Sequence, residues 1–223
     1  MRNEEIIQRR VARELHPGTL VNLGIGLPTG VSQFIRPEDG ILFQSENGIV
    51  GMGARPPEGM EYTELTDAGG SFVTAVPGAA TVDSTLSFGL IRGGHLDATV
   101  LGGLEVDEAG HLANWMVPGR MVPGMGGAMD LVTGARRVIV AMQHTAKGRP
   151  KIVPTCTLPL TSTRRVTLIV TDLAVIEPTD EGLVLRERAP DVSVEDIRNV
   201  TTARLIVSGD VPEMDLRAQV IVH

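Results

Sequence analysis

The sequence predicts an α/β chain built on an open, mostly parallel sheet flanked by helices, and three observations lead there. Short apolar runs of the kind that become buried strands recur along the whole length. Helix-period segments with capping residues fall between them. Glycine and proline, 26 and 14 of 223 residues, gather at the joints without a G-X-Y period and make up about 18% of the chain against a usual ~12%.

Asn3 stands where it can cap a first helix. Ile7, Val11 and Leu15 form its apolar stripe, Glu4 and Glu5 lie in its first turn, and Pro17-Gly18 stops it. A strand over 20–23, a glycine turn, a helical pattern over 28–35 and a strand over 41–43 follow. Further strands are expected at 72–76, 98–101, 138–142 and 166–171, with a helix over 82–91 between the first two. Residues 173–177 and 183–186 flank Pro178-Thr179-Asp180-Glu181-Gly182 as a hairpin does. A helix capped near Ser193 and a strand over 205–207 complete the order. Nothing reads as a linker or repeat, so residues 1–223 are expected to form a single domain.

Composition excludes several classes. Twenty basic against 27 acidic residues give a formal charge of -7, and the pI is near 5.2, so no electrostatic grip on nucleic acid or anionic membrane is expected. Cys156 is the one cysteine, which rules out an intrachain disulfide and a cysteine-based metal cluster. The start MRNEEIIQRR has no continuous apolar core, and no run approaches the ~18 residues of a membrane span, so the expected location is cytoplasmic.

Three segments are candidates for chemistry. Gly24-Ile25-Gly26-Leu27-Pro28 follows a strand and opens a helix. It reads either as a tight turn or as a binding turn whose free N–H groups face an anion. Glu46, 20 residues after Gly26, would suit the ribose of a dinucleotide, but Thr29 replaces the third glycine and Pro28 removes a donor. A nicotinamide oxidoreductase is therefore one open reading. The second segment is Phe43-Gln44-Ser45-Glu46-Asn47-Gly48-Ile49-Val50-Gly51. Its apolar strand delivers a carboxylate to the strand's C-terminal end before an Asn-Gly turn, the usual site position in an open α/β sheet; the alternative is a solvated glutamate beside an ordinary turn.

The third segment, residues 119–130, is the densest in glycine. It lacks the Lys and Ser/Thr of a phosphate loop, which leaves a flexible loop able to line a thioester or a plain crossover. Met121, Met125 and Met129 recur every fourth residue and are expected to pack. His16, His95, His111, His144 and His223 are scattered, with no metal-ligand spacing. Cys156 is expected to be buried and structural, and no nucleophile elbow is present. Arg136-Arg137 and Arg164-Arg165 read as solvated flanks or, alternatively, as phosphate contacts.

The three segments, in this order, resemble the B (β) subunit of the class I 3-oxoacid coenzyme A transferases. That family includes the succinyl-CoA:3-oxoacid, 3-oxoadipate and acetate/acetoacetate enzymes. Residues 43–51 match its active-site pattern without departure; residues 22–28, 102–106 and 124–130 also look like family segments. The resemblance implies a CoA-transferase fold and a nucleophilic Glu46 that carries a glutamyl-CoA thioester in a ping-pong exchange. It further implies substrate or CoA contacts from Gly24, Gly26, Asn47, Gly124, Gly126 and Gly127, with Gly126 and Gly127 the first choice as oxyanion donors and Gly24 and Gly26 the second. No metal and no tightly bound cofactor are expected, coenzyme A being a substrate. The partner would be an A subunit, in an A2B2 assembly with the site at the subunit interface. A non-catalytic ligand-sensing module is a further reading, against which the intact Ser45-Glu46-Asn47-Gly48 argues.

Overall fold

Val21, Val100, Val138, Ile139, Val140, Ile169 and Val170 are fully shut off from water, and they form the middle of one ten-stranded sheet. The computed structural model describes residues 1–119 and 124–217. Arg120, Met121 and His223 from the segments above lie outside that range.

In chain order the elements are α1 (Asn3–Ala12), β1 (Leu20–Leu23), a 3-10 helix (Leu27–Phe34), a 3-10 turn (Pro37–Asp39), β2 (Leu42–Ser45), β3 (Ile49–Met52) and β4 (Ala75–Thr81). Then come α2 (Ser84–Arg92), β5 (Ala98–Leu101), β6 (Glu105–Asp107), β7 (Leu112–Ala113), α3 (Ala128–Gly134) and β8 (Arg137–Ala141). The short β9 (Thr145–Ala146), β10 (Arg149–Pro150) and β11 (Ile152–Val153) lead to β12 (Leu168–Val170), β13 (Ala174–Thr179), β14 (Gly182–Arg188), α4 (Val194–Asn199) and β15 (Leu205–Ile206).

The main sheet runs β15-β14-β13-β12-β8-β5-β1-β2-β3-β4. Its five central strands, β12 to β2, are parallel, while β13 and β3 are antiparallel to their neighbours on both sides. From β1 the chain builds one flank through β2, β3 and β4, then crosses back to β5 on the other side of β1. That reversal is the switch point at which open α/β sheets present their sites.

Alternate residues of the central strands feed two cores. Val21, Leu23, Val100, Ile139 and Val170 pack with Ile7, Val11 and Leu15 on one face, and Leu101, Val138, Val140 and Ile169 pack with Ile91, Leu131, Val132 and Ile197 on the other. Each such side chain contributes about 1.5–3 kcal/mol by leaving water. A partly buried ionic network ties α1 to the sheet. Arg10 donates to both carboxylate oxygens of Glu187 at 2.7 and 2.8 Å and to Glu14 at 2.8 Å, and Arg137 also bridges to Glu14. Burial alone would raise the Glu14 pKa, but the Arg137 hydrogen bond and the Arg10 charge outweigh it and hold the carboxyl below its ordinary value.

Several expectations need correcting. Asn3 does not cap α1; Arg2 holds the cap position without a side-chain bond, and the Asn3 amide donates instead to Asp172 at 2.9 Å, 169 residues away. The pattern at 28–35 is a 3-10 helix over Leu27–Phe34, entered by an i to i+3 bond from the Thr29 N–H to the Gly26 carbonyl at 3.1 Å, and it contains Pro28 and Gly30, the two poorest α-helix formers. The strand expected at 72–76 sits at Ala75–Thr81 and contains Pro77, tolerable because β4 is the sheet's edge. The glycine-rich segment gives way to α3 at Ala128, and Met129 on it is 50% exposed, not packed. Of the arginine pairs, Arg136 and Arg165 are solvated as expected, but all four arginines hold partners. Arg137 joins the network above, Arg136 and Arg165 pair with Asp97 and Asp180, and Arg164 donates to the carbonyls of Val132, Thr133 and Ala135 at 2.6–2.8 Å, closing the C-terminus of α3.

His144, fully buried just past β8, lies between the hydroxyls of Thr171 at 2.9 Å and Thr201 at 2.8 Å. Burial pushes its pKa down to about 4, with Asp172 pulling upward and Lys151 downward. The folded state therefore keeps His144 neutral where the unfolded chain, near 6.5, takes up a proton. Stability should be fully present above pH 6.5 and fall on acidification towards pH 4, by about 3 kcal/mol in all at up to ~1.4 kcal/mol per pH unit. Urea titrations of wild type and His144→Gln across this window should show the variant with the flatter dependence.

Candidate active site

β2 brings Phe43, Gln44 and Ser45 out of water and ends there, so Glu46 is the first residue beyond the strand and only half-buried. The chain then reverses in three residues, since Ser45 already pairs with Ile49 across the hairpin. The reversal depends on Gly48, whose φ is +121°. Its N–H donates to Ser45 at 3.0 Å and its carbonyl accepts from Val82 at 2.8 Å. A methyl group on Gly48 would collide with the Val82 carbonyl, so here the left-handed backbone and the close approach both require glycine.

The Glu46 side chain is held from the neighbouring strand. Asn22 Nδ2 donates to Glu46 Oε2 at 3.1 Å and to Gln44 Oε1 at 2.9 Å. Gln44 Nε2 reaches Ser87 Oγ at 3.0 Å, and the Ser87 hydroxyl donates to the Glu46 backbone carbonyl at 2.8 Å. The flanking residues of the motif anchor the loop between β3 and β4: Ser45 Oγ accepts from the Ala68 N–H at 2.9 Å, and Asn47 Nδ2 donates to the Thr66 carbonyl at 2.7 Å.

Of the glycines singled out in the sequence, Gly127 comes against Glu46. A Cβ built on it would lie 3.2 Å from Glu46 Cγ and 3.5 Å from the Phe88 ring. Gly127 precedes α3, which Arg92 ties to α2 through Asp130 at 2.7 Å while also lying 5.4 Å over the Phe88 ring. Gly124 and Gly126 have positive φ and open space at their Cβ positions. Gly24 donates its N–H to the Val100 carbonyl at 2.8 Å and packs on Leu101, so that donor is committed within the sheet. Gly26, with φ +88°, begins the 3-10 helix and has open space around it.

Sequence reasoning did not single out Ser87, Thr99 or Gln44 as site residues, and Asn22 entered only as part of a matching segment. No local pattern marks Ser87 or Thr99; they join the site through helix packing and strand register. A cleft of about 240 Å³ opens above the C-terminal ends of β1, β5 and β8, lined by Ile25, Pro28, Gly103, Met142, Gln143 and Lys151 among others. Burial lowers the Lys151 pKa to about 8, with Asp172 pulling the other way. Ile25, 66% exposed, also lies near Gly69 of the anchored loop. A second cleft of similar size, walled by Glu14, Asp97 and Arg137, opens at the N-terminal ends of the strands, away from Glu46. Cys156 is half-buried, and burial beside Asp107 and Glu105 pushes its thiol up to about 12, which makes it a poor nucleophile. Among the described residues no helix is long and apolar enough to cross a membrane, and no three His, Cys, Asp or Glu cluster as metal ligands would.

A carboxylate presented at the switch point of a parallel sheet core, beside a glycine-bearing helix start, has the placement of an α/β enzyme site. Similarity to known proteins identifies it more closely: residues 4–199 match the Coenzyme A transferase family, and the chain belongs to that family. It is 54% identical to the beta subunit of the acetate CoA-transferase of Haemophilus influenzae, over 97% of each chain. To the B subunit of the succinyl-CoA:3-ketoacid coenzyme A transferase of Helicobacter pylori it is 48% identical, over 91% of this chain and 98% of that one. The crystal structure of an acyl-CoA transferase from Escherichia coli O157:H7 superposes with a TM-score of 0.77 at 23% identity, covering 99% of this chain and 45% of the other, which shows the shared fold. The dinucleotide reading is not favoured. Gly26 leads into a 3-10 helix, not an α-helix with its aligned donors.

Gly48→Ala should lower stability by about 2 kcal/mol or more, because the φ and the Val82 contact both oppose it. Thermal unfolding checks this, with the exposed Asn47→Ala expected to cost clearly less.

Proposed function

We propose that the chain is the B subunit of a 3-oxoacid CoA transferase that moves coenzyme A between succinyl-CoA and a 3-oxoacid such as acetoacetate. The single observation that carries the reading is Glu46 at the end of β2, its carboxylate held by Asn22 and flanked by Gly127. The exchange of one thioester for another needs a nucleophile and donors for a tetrahedral oxyanion. Glu46 Oε1 attacks the donor acyl-CoA carbonyl and expels the thiolate, which leaves a mixed acyl-glutamyl anhydride. The thiolate attacks the glutamyl carbonyl, the donor acid leaves, and a glutamyl-CoA thioester remains. The acceptor carboxylate attacks that thioester, and the returning thiolate takes the acceptor acyl group and restores Glu46.

The backbone N–H groups of Gly126 and Gly127 are the proposed oxyanion donors, since small residues let a thioester approach. The choice of acids draws support from a 48% identical relative named for succinyl-CoA and 3-ketoacids; acetate is the other candidate, from the 54% identical one. Both relatives carry subunit names, which supports an A-subunit partner. The proposed assembly is a cytoplasmic A2B2 enzyme with the acid pocket completed by the partner chain.

Incubating the assembled enzyme with succinyl-CoA and no acceptor should add one CoA to this chain by intact mass. Glu46→Gln should abolish the adduct; no adduct on wild type, or an adduct on the variant, defeats the mechanism. A small thioester without the CoA arm should turn over at least about 100-fold more slowly, because binding energy from the remote arm aligns and desolvates the carboxylate. Comparing kcat/KM for succinyl-CoA and a short succinyl thioester measures this.

A further inference from the structure

Thr99, Asn22 and Gln44 occupy one register row across β5, β1 and β2, and all three are fully buried. Buried polar side chains in a parallel core need partners, and these form a ring whose proton directions can be deduced. The backbone carbonyl of Glu46 can only accept, so the fully buried Ser87 hydroxyl donates to it. That hydroxyl has one proton, so Ser87 Oγ accepts from Gln44, and the facing atom of Gln44 is its Nε2. Gln44 Oε1 therefore faces Asn22, whose two Nδ2 protons are shared among Gln44 Oε1 at 2.9 Å, Glu46 Oε2 at 3.1 Å and the Gln44 backbone carbonyl at 3.2 Å, three oxygens that can only accept. Thr99 donates to the remaining Asn22 oxygen at 3.3 Å. The ring starts at the backbone of Glu46 and closes on its carboxylate; reversing either amide would set acceptor against acceptor.

We propose that Asn22 is a catalytic oxyanion donor to Glu46 Oε2, and that Ser87 and Thr99 are positioning residues that lock its amide in the donating orientation. The proposal rests on the glutamyl-thioester reading and divides the labour between the two carboxylate oxygens. Oε1 is the nucleophile and Oε2 is the oxygen that remains a carbonyl. When the thiolate attacks Cδ of the anhydride, the S–Cδ bond forms and the carbonyl π pair moves onto Oε2, which already lies 3.1 Å from Asn22 Nδ2. Collapse restores Cδ=Oε2 and breaks Cδ–Oε1, and the donor acid departs as its carboxylate carrying Oε1. The bond strengthens as charge gathers on Oε2, so it favours the transition state over the ground state.

The test uses the complex assembled with its A subunit, following the CoA adduct by quenched intact mass with succinyl-CoA. Adduct on wild type checks the underlying reading separately; its absence overturns that reading and this inference together. Asn22→Ala should slow adduct formation about 100- to 1000-fold with the KM for succinyl-CoA nearly unchanged, the usual cost of removing one oxyanion donor. Ser87→Ala frees Gln44 to flip, which sets its Nε2 against Asn22 Nδ2 and displaces that donor; kcat should fall about 10-fold at similar KM and thermal midpoint, with Ser87→Thr restoring most of it. Adduct rates within about threefold of wild type in both alanine variants overturn the inference. So does a loss confined to KM or thermal midpoint, or one that Ser87→Thr fails to recover. If Asn22→Ala does not assemble, the Ser87 pair decides alone.

Discussion

The reversal between β2 and β3 turns the chain within Glu46, Asn47 and Gly48, and the rest of the site depends on that turn. A longer loop would leave the carboxylate on a flexible tether. The three-residue reversal instead fixes its backbone against Ser45 and Val82, so the remaining freedom is in the side chain, and Asn22 constrains that. The sheet order supplies the neighbours. Because the chain returns to β5 on the far side of β1, Asn22 lies between Gln44 and Thr99, and α2 and the start of α3 set Ser87 and Gly127 beside Glu46.

The two faces of the sheet carry different burdens. On the face of α1 the apolar stripe and the Arg10 network fasten the N-terminus to β14 and β8. On the other, α2 and α3 meet through Arg92 and Asp130 and close over the polar row. Apolar packing thus continues around a small hydrogen-bonded ring. Inside a parallel core such a ring is rigid for the reason that makes an unsatisfied one costly: few solvent molecules are available to replace a lost partner.

Much of this was legible in the sequence, where local chemistry dominates. Strands β1 and β5 fall at the expected residues, the β13–β14 hairpin turns where Pro178 to Gly182 said it would, and Ser193 caps α4 through Asp196 as its spacing indicates. The motif around Glu46 could be read because its strand, carboxylate and Asn-Gly turn are contiguous. What stayed hidden is set by distant contacts. Asn3 looks like a cap until Asp172 claims it. Strand β3 is masked by Gly51, whose positive φ and contact with Ala79 arise only once β4 packs alongside. Ser87 and Thr99 look like ordinary helix and strand residues until the register aligns them with Asn22.

The tie between the motif and the long loop from β3 to β4 has a wider meaning. Ser45 and Asn47 flank Glu46, and both grip that loop, at Ala68 and Thr66, while Ile25 of the cleft rests near Gly69. Loops of this kind are where sequence drifts most freely. A change of shape anywhere between residues 53 and 72 is therefore felt on both sides of Glu46. Random variation confined to that segment would amount to a survey of active-site geometries in which no active-site residue had been replaced.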